Sequence, residues 1–103
     1  MIEISIGGLP RNLKYADESW INQEINGRRE NGETVCVRVT IRTADVDLTF
    51  SSPGCPSRGG RLTRDLTRAE KQVHELWKNR GLNADNFTGG SVIAFLKQLD
   101  RIV

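Results

Sequence analysis

The chain has 103 residues, of which 37% are hydrophobic and 27% charged, and its formal net charge at pH 7 is +2. This length and balance fit one domain with a modest core and exclude an intrinsically disordered chain. No apolar run approaches the roughly 18 residues that span a bilayer, and the N-terminus lacks the basic start and long apolar run of a signal peptide. We therefore expect a single cytoplasmic domain over residues 1–103, with no membrane partner.

The first two elements along the chain are a strand and a helix. Residues 2–6 alternate apolar and polar side chains, which is typical of a half-buried strand, and the sequence GGLP at 7–10 ends it. Asp17 has the position of an N-cap for a helix from about 18 to 29. Asn-Gly at 31–32 stops this helix, which presents a narrow apolar face.

Residues 34–51 predict a β-hairpin, because two runs of alternating side chains flank a polar turn. A two-residue turn at 44–45 gives paired residue numbers that sum to 89, and a four-residue loop of the same parity is equally compatible. In this register apolar side chains meet on one face, while Arg42 faces Asp47 on the other. The pairing is therefore well specified.

Two amphipathic helices follow. Thr67 and Glu70 have the spacing of a capping box at the start of the first, and Gly81 ends it. Ser91 is the expected N-cap of the second, whose apolar stripe reaches the C-terminus. We expect one core to gather Val37, Val39, Ile41, Leu48, Phe50, Val73, Leu76, Trp77, Phe95, Leu96 and Leu99.

The order of elements is strand, helix, hairpin, helix, helix. Three strands with one apolar face need helices to cover that face. The sequence therefore predicts an α+β domain with a small three-stranded, mainly antiparallel sheet and the two C-terminal helices packed on one of its faces.

The two cysteines, Cys36 and Cys55, are expected to be free thiols in a reducing cytosol, where each would serve as a small buried residue. Two cysteines and one histidine do not make a zinc site of the usual four ligands. We expect neither a metal nor a cofactor.

Cys55 is followed by five residues and then Arg61, between a strand and a helix. This spacing is similar to the loop of the cysteine phosphatases, and the resemblance implies a Cys55 nucleophile beside an anion-binding Arg61. The preceding strand closes a hairpin, however, whereas the phosphatase loop follows a central parallel strand. A thiol-dependent enzyme that acts on an anionic substrate is therefore the alternative function.

The leading functional hypothesis depends on a local concentration of positive charge. Residues 58–80 hold seven basic and three acidic side chains, whereas residues 1–57 hold six basic and eight acidic ones. A non-enzymatic module that contacts an acidic partner, protein or nucleic acid, accounts for this asymmetry. A solvated helix face partly paired with Asp65 and Glu75 is the simpler interpretation. The expected contact residues are Arg58, Arg61, Arg64, Arg68 and Lys71.

Trp20 and Trp77 are expected to be core or boundary residues. A tryptophan on a narrow helix face is also typical of dimer contacts, so a homodimer is an alternative that the sequence leaves open.

Overall fold

The computed structural model of the protein describes residues 1–56 and 64–102. This part of the chain folds as an α+β unit with one antiparallel sheet and a layer of helices. A 3-10 turn, Leu13–Tyr15, separates the second strand from the first helix. The elements in chain order are β1 (Ile2–Ile6), β2 (Pro10–Asn12), α1 (Glu18–Glu30), β3 (Val37–Arg42), β4 (Asp47–Ser51), α2 (Arg68–Asn79) and α3 (Gly89–Ile102).

The sheet has the strand order β2-β1-β3-β4, and all its neighbouring strands are antiparallel. The predicted hairpin register is confirmed, with Ile41 opposite Leu48 and Arg42 opposite Asp47. The connection is the four-residue loop 43–46, in which Thr43 N–H donates to the carbonyl of Val46 at 2.8 Å. The loop closes through the Thr43 side chain as well, because its Oγ1 accepts the Val46 N–H at 3.1 Å.

The prediction of three strands is wrong by one, because the sheet of the described chain also contains β2. Gly7 and Gly8 have φ angles of 79° and 119°, and at these positive values the chain reverses after β1. It returns as a three-residue edge strand, with Pro10 opposite Ser5. A proline is tolerated there because an edge strand has one side without ladder hydrogen bonds.

All three helices cover the same face of the sheet, whereas the sequence predicts only the last two there. α3 lies between α1 and α2, while α1 contacts β1 and α2 contacts β4. Ile21 and Ile25 of α1 are buried in the same core as the sheet residues. Gly89 lets the start of α3 approach α1 closely, since an added Cβ would collide with the side chain of Asn22.

The helix starts are set by side-chain caps. Asp17 caps α1, and Thr67 and Glu70 form the predicted capping box of α2. The sequence predicts Ser91 as the cap of α3, but Thr88 takes that role, and its Oγ1 accepts the Ser91 N–H at 3.2 Å. The helix consequently begins earlier than expected.

The predicted core is confirmed except at Leu76, which is half-buried at its edge. Phe50 of β4 stacks on Trp77 of α2 with ring centroids 5.2 Å apart. Phe95 of α3 meets the Trp77 ring edge-on at 5.3 Å. This aromatic cluster fixes α2 against β4 and α3, and so determines which side of α2 faces outward.

None of the helices within residues 1–56 and 64–102 combines the length and the apolar character needed to cross a bilayer.

Candidate interaction surface on α2

The structure describes three of the five predicted contact residues. Arg64 lies just before α2, Arg68 is its first residue, and Lys71 follows one turn later. Arg58 and Arg61 lie outside the described residues. All three side chains reach solvent, but only Arg64 is also held by an ion pair within the fold.

Arg64 forms a bidentate ion pair with Glu70. Its two terminal nitrogens donate to the two carboxylate oxygens at 2.6 and 2.5 Å. The guanidinium also donates to the backbone carbonyl of Asp47 at 2.9 Å. The Glu70 side chain is 1% exposed, whereas that of Arg64 is 44% exposed. Arg64 therefore connects the start of α2 to β4 and keeps part of its surface toward solvent.

Backbone groups complete the coordination of the Glu70 carboxylate. The N–H of Thr67 donates to one oxygen at 2.8 Å, and the N–H of Asp47 donates to the other at 2.9 Å. The hydrogen bonds from Arg64, followed by the one from Thr67, hold the pKa of Glu70 well below its ordinary value, although burial acts in the opposite direction. The pKa of Arg64 is raised, chiefly by its hydrogen bond to Glu70.

The sequence predicts Glu70 as a capping residue but not as the partner of Arg64. It assigns partial pairing of the arginines to Asp65 and Glu75 instead, and both of these are exposed. In the sequence, only the capping box points to this pairing, because it places Glu70 at the helix start next to the loop that contains Arg64. The contact with Asp47 is tertiary and has no local signature.

Arg68 and Lys71 are exposed in the first turns of α2. This position is unfavourable for a cation, because the N-terminal end of a helix carries a partial positive charge. Glu70, the acid between them in the sequence, is turned inward and paired with Arg64. Asp45 lines a small pocket together with Arg68, and Glu75 follows Lys71 by four residues. The start of α2 thus presents two exposed cations with acids at its borders, and exposed cations attract anionic groups.

A surface groove of about 620 Å³ runs along the outer side of α2 to the end of α3. Leu76 and Ile102 form its apolar floor, and both are half-buried against the core. Arg68 and Lys71 lie at one end of the groove, and Glu75 lies beyond them along α2. We call this the α2–α3 groove, and its lining is Arg68, Lys71, Gln72, Glu75, Leu76, Asn79 and Ile102.

The prediction of free thiols is wrong, because Cys36 and Cys55 form a disulfide. The bond joins the residue before β3 to the loop after β4, across a sequence separation of 19. In this state Cys55 has no thiol that could be ionised to a nucleophile. Arg61, the other member of the phosphatase-like spacing, lies outside the described residues.

The two tryptophans are engaged within the chain. Trp77 is buried in the core, and the guanidinium of Arg11 covers the ring of Trp20 at 4.3 Å from its centroid. A second groove of about 620 Å³, which the sequence did not indicate, lies between the start of α1 and α3. Its walls include Leu13, Lys14 and Lys97.

Within residues 1–56 and 64–102, His, Cys, Asp and Glu side chains form no group of three or more that could hold a metal ion. No protein-family model matches the chain, and no similar curated protein or solved structure was found. The case for a function therefore depends on the surface of α2 itself.

Proposed function

We propose that the protein is a small non-enzymatic interaction module that binds an acidic partner through the basic segment at the start of α2. One observation carries the proposal: Glu70, the acid between Arg68 and Lys71 in the sequence, is buried against Arg64, while Arg68 and Lys71 are both exposed. The first turn of a helix is a costly place for cations. Side chains that oppose local stability in this way are typical of functional surfaces.

The disulfide supports a binding role over thiol chemistry. Nucleophilic catalysis at Cys55 requires a thiolate, and the bond to Cys36 removes it. Binding through Arg68 and Lys71 needs no such group, since Coulomb attraction to carboxylates or phosphates is sufficient.

Titration of labelled anionic probes tests the proposal. An acidic peptide and an oligonucleotide are titrated with the protein at low and moderate salt, and binding is read by fluorescence anisotropy. Attraction between exposed charges is screened by salt, so affinity should fall as salt rises. The double variant R68Q/K71Q should lose about tenfold in affinity, equivalent to about 1.4 kcal/mol, and its salt dependence should be weaker.

The matched control is K14Q/K97Q, which removes the same charge from residues that line the second groove, away from the start of α2. It should bind as the unchanged protein does. If both double variants lose the same affinity, binding depends on net charge alone, and a specific binding surface on α2 is rejected. Absence of binding to every probe at low salt would reject the proposed function.

The remaining predicted contacts are tested separately with R58Q/R61Q. Arg64 is kept in every variant, because its loss would leave the buried Glu70 carboxylate without its cation.

A further inference from the structure

We infer that the partner is a protein segment with acidic residues at one end and a large apolar side chain beside them, which docks in the α2–α3 groove. This inference rests on the proposed function and names the chemical class of its partner. It selects a protein over a nucleic acid, which the sequence left as equal alternatives.

The shape of the groove suits a peptide. The α2 residues that line it, from Arg68 to Asn79, recur at the three- and four-residue spacing of one helix stripe. At 1.5 Å per residue this stripe extends for ~16 Å along the helix. The end of α3 borders one side at Ile102, so the partner meets an elongated, shallow surface.

The floor of the groove favours an apolar side chain. Leu76 and Ile102 are packed against the core, yet both keep part of their surface accessible. A leucine or phenylalanine placed on them removes apolar surface from water on both partners, which is favourable. A nucleic acid would place there either its sugar-phosphate backbone, which the floor would desolvate, or a base, for which the lining residues provide no aromatic ring to stack on.

The charges along the groove are directional. Arg68 and Lys71 are at the end near the start of α2, whereas Glu75 borders the apolar floor. A uniform polyanion that follows the groove would bring a negative charge against Glu75, and this repulsion opposes binding. A segment whose acidic residues are confined to one end meets Arg68 and Lys71 and avoids Glu75.

Four probes and three variants test the inference. The probes are a short peptide with an acidic cluster next to one leucine, the same peptide with serine in place of leucine, one with lysines in place of the acids, and an oligonucleotide of equal negative charge. The variants are R68Q/K71Q, Ile102→Ser and the control Lys78→Gln. Lys78 lies on the same helix but does not line the groove.

The acidic leucine peptide should bind about tenfold more tightly than the serine peptide and the oligonucleotide, and the lysine peptide should not bind. Ile102→Ser should remove most of the advantage of leucine while leaving the serine peptide unaffected. R68Q/K71Q should weaken all anionic probes, and Lys78→Gln should weaken none of them by more than about twofold. Melting temperatures of all variants are recorded, and Leu76→Ala replaces Ile102→Ser if the latter unfolds.

Three results would overturn the inference. If leucine and serine peptides bind equally while R68Q/K71Q weakens both, the proposed function stands and the apolar site is rejected. If the oligonucleotide binds more tightly than the leucine peptide, the partner is a nucleic acid. Absence of binding to all four probes rejects the inference together with the proposed function.

Discussion

Glu70 and Arg64 form a bidentate ion pair in which the carboxylate is buried and the guanidinium is half-exposed. The same carboxylate accepts the N–H of Thr67 at the start of α2 and the N–H of Asp47 at the start of β4. One side chain thus ends the preceding loop, caps a helix and joins that helix to the sheet. It also keeps the Glu70 carboxylate off the exposed surface of α2.

Replacement of Glu70 by glutamine should lower the free energy of unfolding by about 2 kcal/mol, because hydrogen bonds to a charged group contribute about 1.5–3 kcal/mol. Glutamine keeps the size of the side chain but cannot accept from Arg64 and both backbone N–H groups with full charge. Urea denaturation gives the measurement. Glu75→Gln, on the exposed side of α2, is the control and should change stability by no more than about 0.5 kcal/mol. Equal effects of the two substitutions would contradict the structural role of Glu70.

Stability should depend on pH through the same carboxylate. The pKa of Glu70 is lowered in the folded state from its ordinary value of 4.5, so the unfolded chain takes up its proton first. The contribution of Glu70 is therefore fully present above about pH 6 and decreases as the pH falls through and below the unfolded value. Denaturation curves between about pH 7 and pH 3 should show this loss. The Glu70→Gln variant should show a shallower decrease, and parallel curves for the two proteins would refute the assignment.

Loss of the disulfide should destabilise the protein by about 3 kcal/mol, the value expected for a closed loop of some 15–20 residues. The comparison is between the unchanged protein and Cys36→Ser/Cys55→Ser in urea without reductant. Alkylation of the unchanged protein under denaturing, non-reducing conditions should label neither cysteine, and treatment with a dithiol should make both reactive. Labelling of both before reduction would show that the bond does not form in solution.

Core truncations should separate buried from groove-lining positions. Phe50 is buried between Trp77 and Phe95, so Phe50→Ala should cost about 3–5 kcal/mol. Leu96→Ala, also in the core, should cost about 2–5 kcal/mol. Leu76 is only half-buried, and its truncation should cost about 1 kcal/mol because less surface and a smaller cavity are involved. A loss at Leu76 as large as that at Phe50 would place Leu76 in the core and weaken the case for the groove.

The hairpin could be predicted in detail because its information is local. Two faces of alternating residues agree on one register, and Arg42 and Asp47 add a charge pair to it. The capping box of α2 was equally visible, since Thr67 and Glu70 are three residues apart. These elements are specified by neighbours along the chain.

The features that could not be predicted from the sequence all depend on contacts between residues far apart along the chain. β2 exists only because Pro10 returns beside Ser5, and a proline after two glycines otherwise indicates the end of a strand. Cys36 and Cys55 come together through the hairpin, and their spacing alone does not reveal this. The α2–α3 groove likewise requires Ile102 of α3 to lie beside the same groove as Leu76 of α2, which depends on tertiary packing.

The Arg64–Glu70 pair also affects whether copies of this protein can associate through the edges of their sheets. β4 is an edge strand, and unpaired N–H and C=O groups on an edge can template an intermolecular sheet. At Asp47 both groups are already occupied, the N–H by Glu70 and the carbonyl by Arg64. At the opposite edge β2 is only three residues long and begins with a proline that has no N–H. Side chains thus obstruct strand addition at the first position of β4, and a variant that loses the ion pair should be more prone to fibril growth as well as less stable.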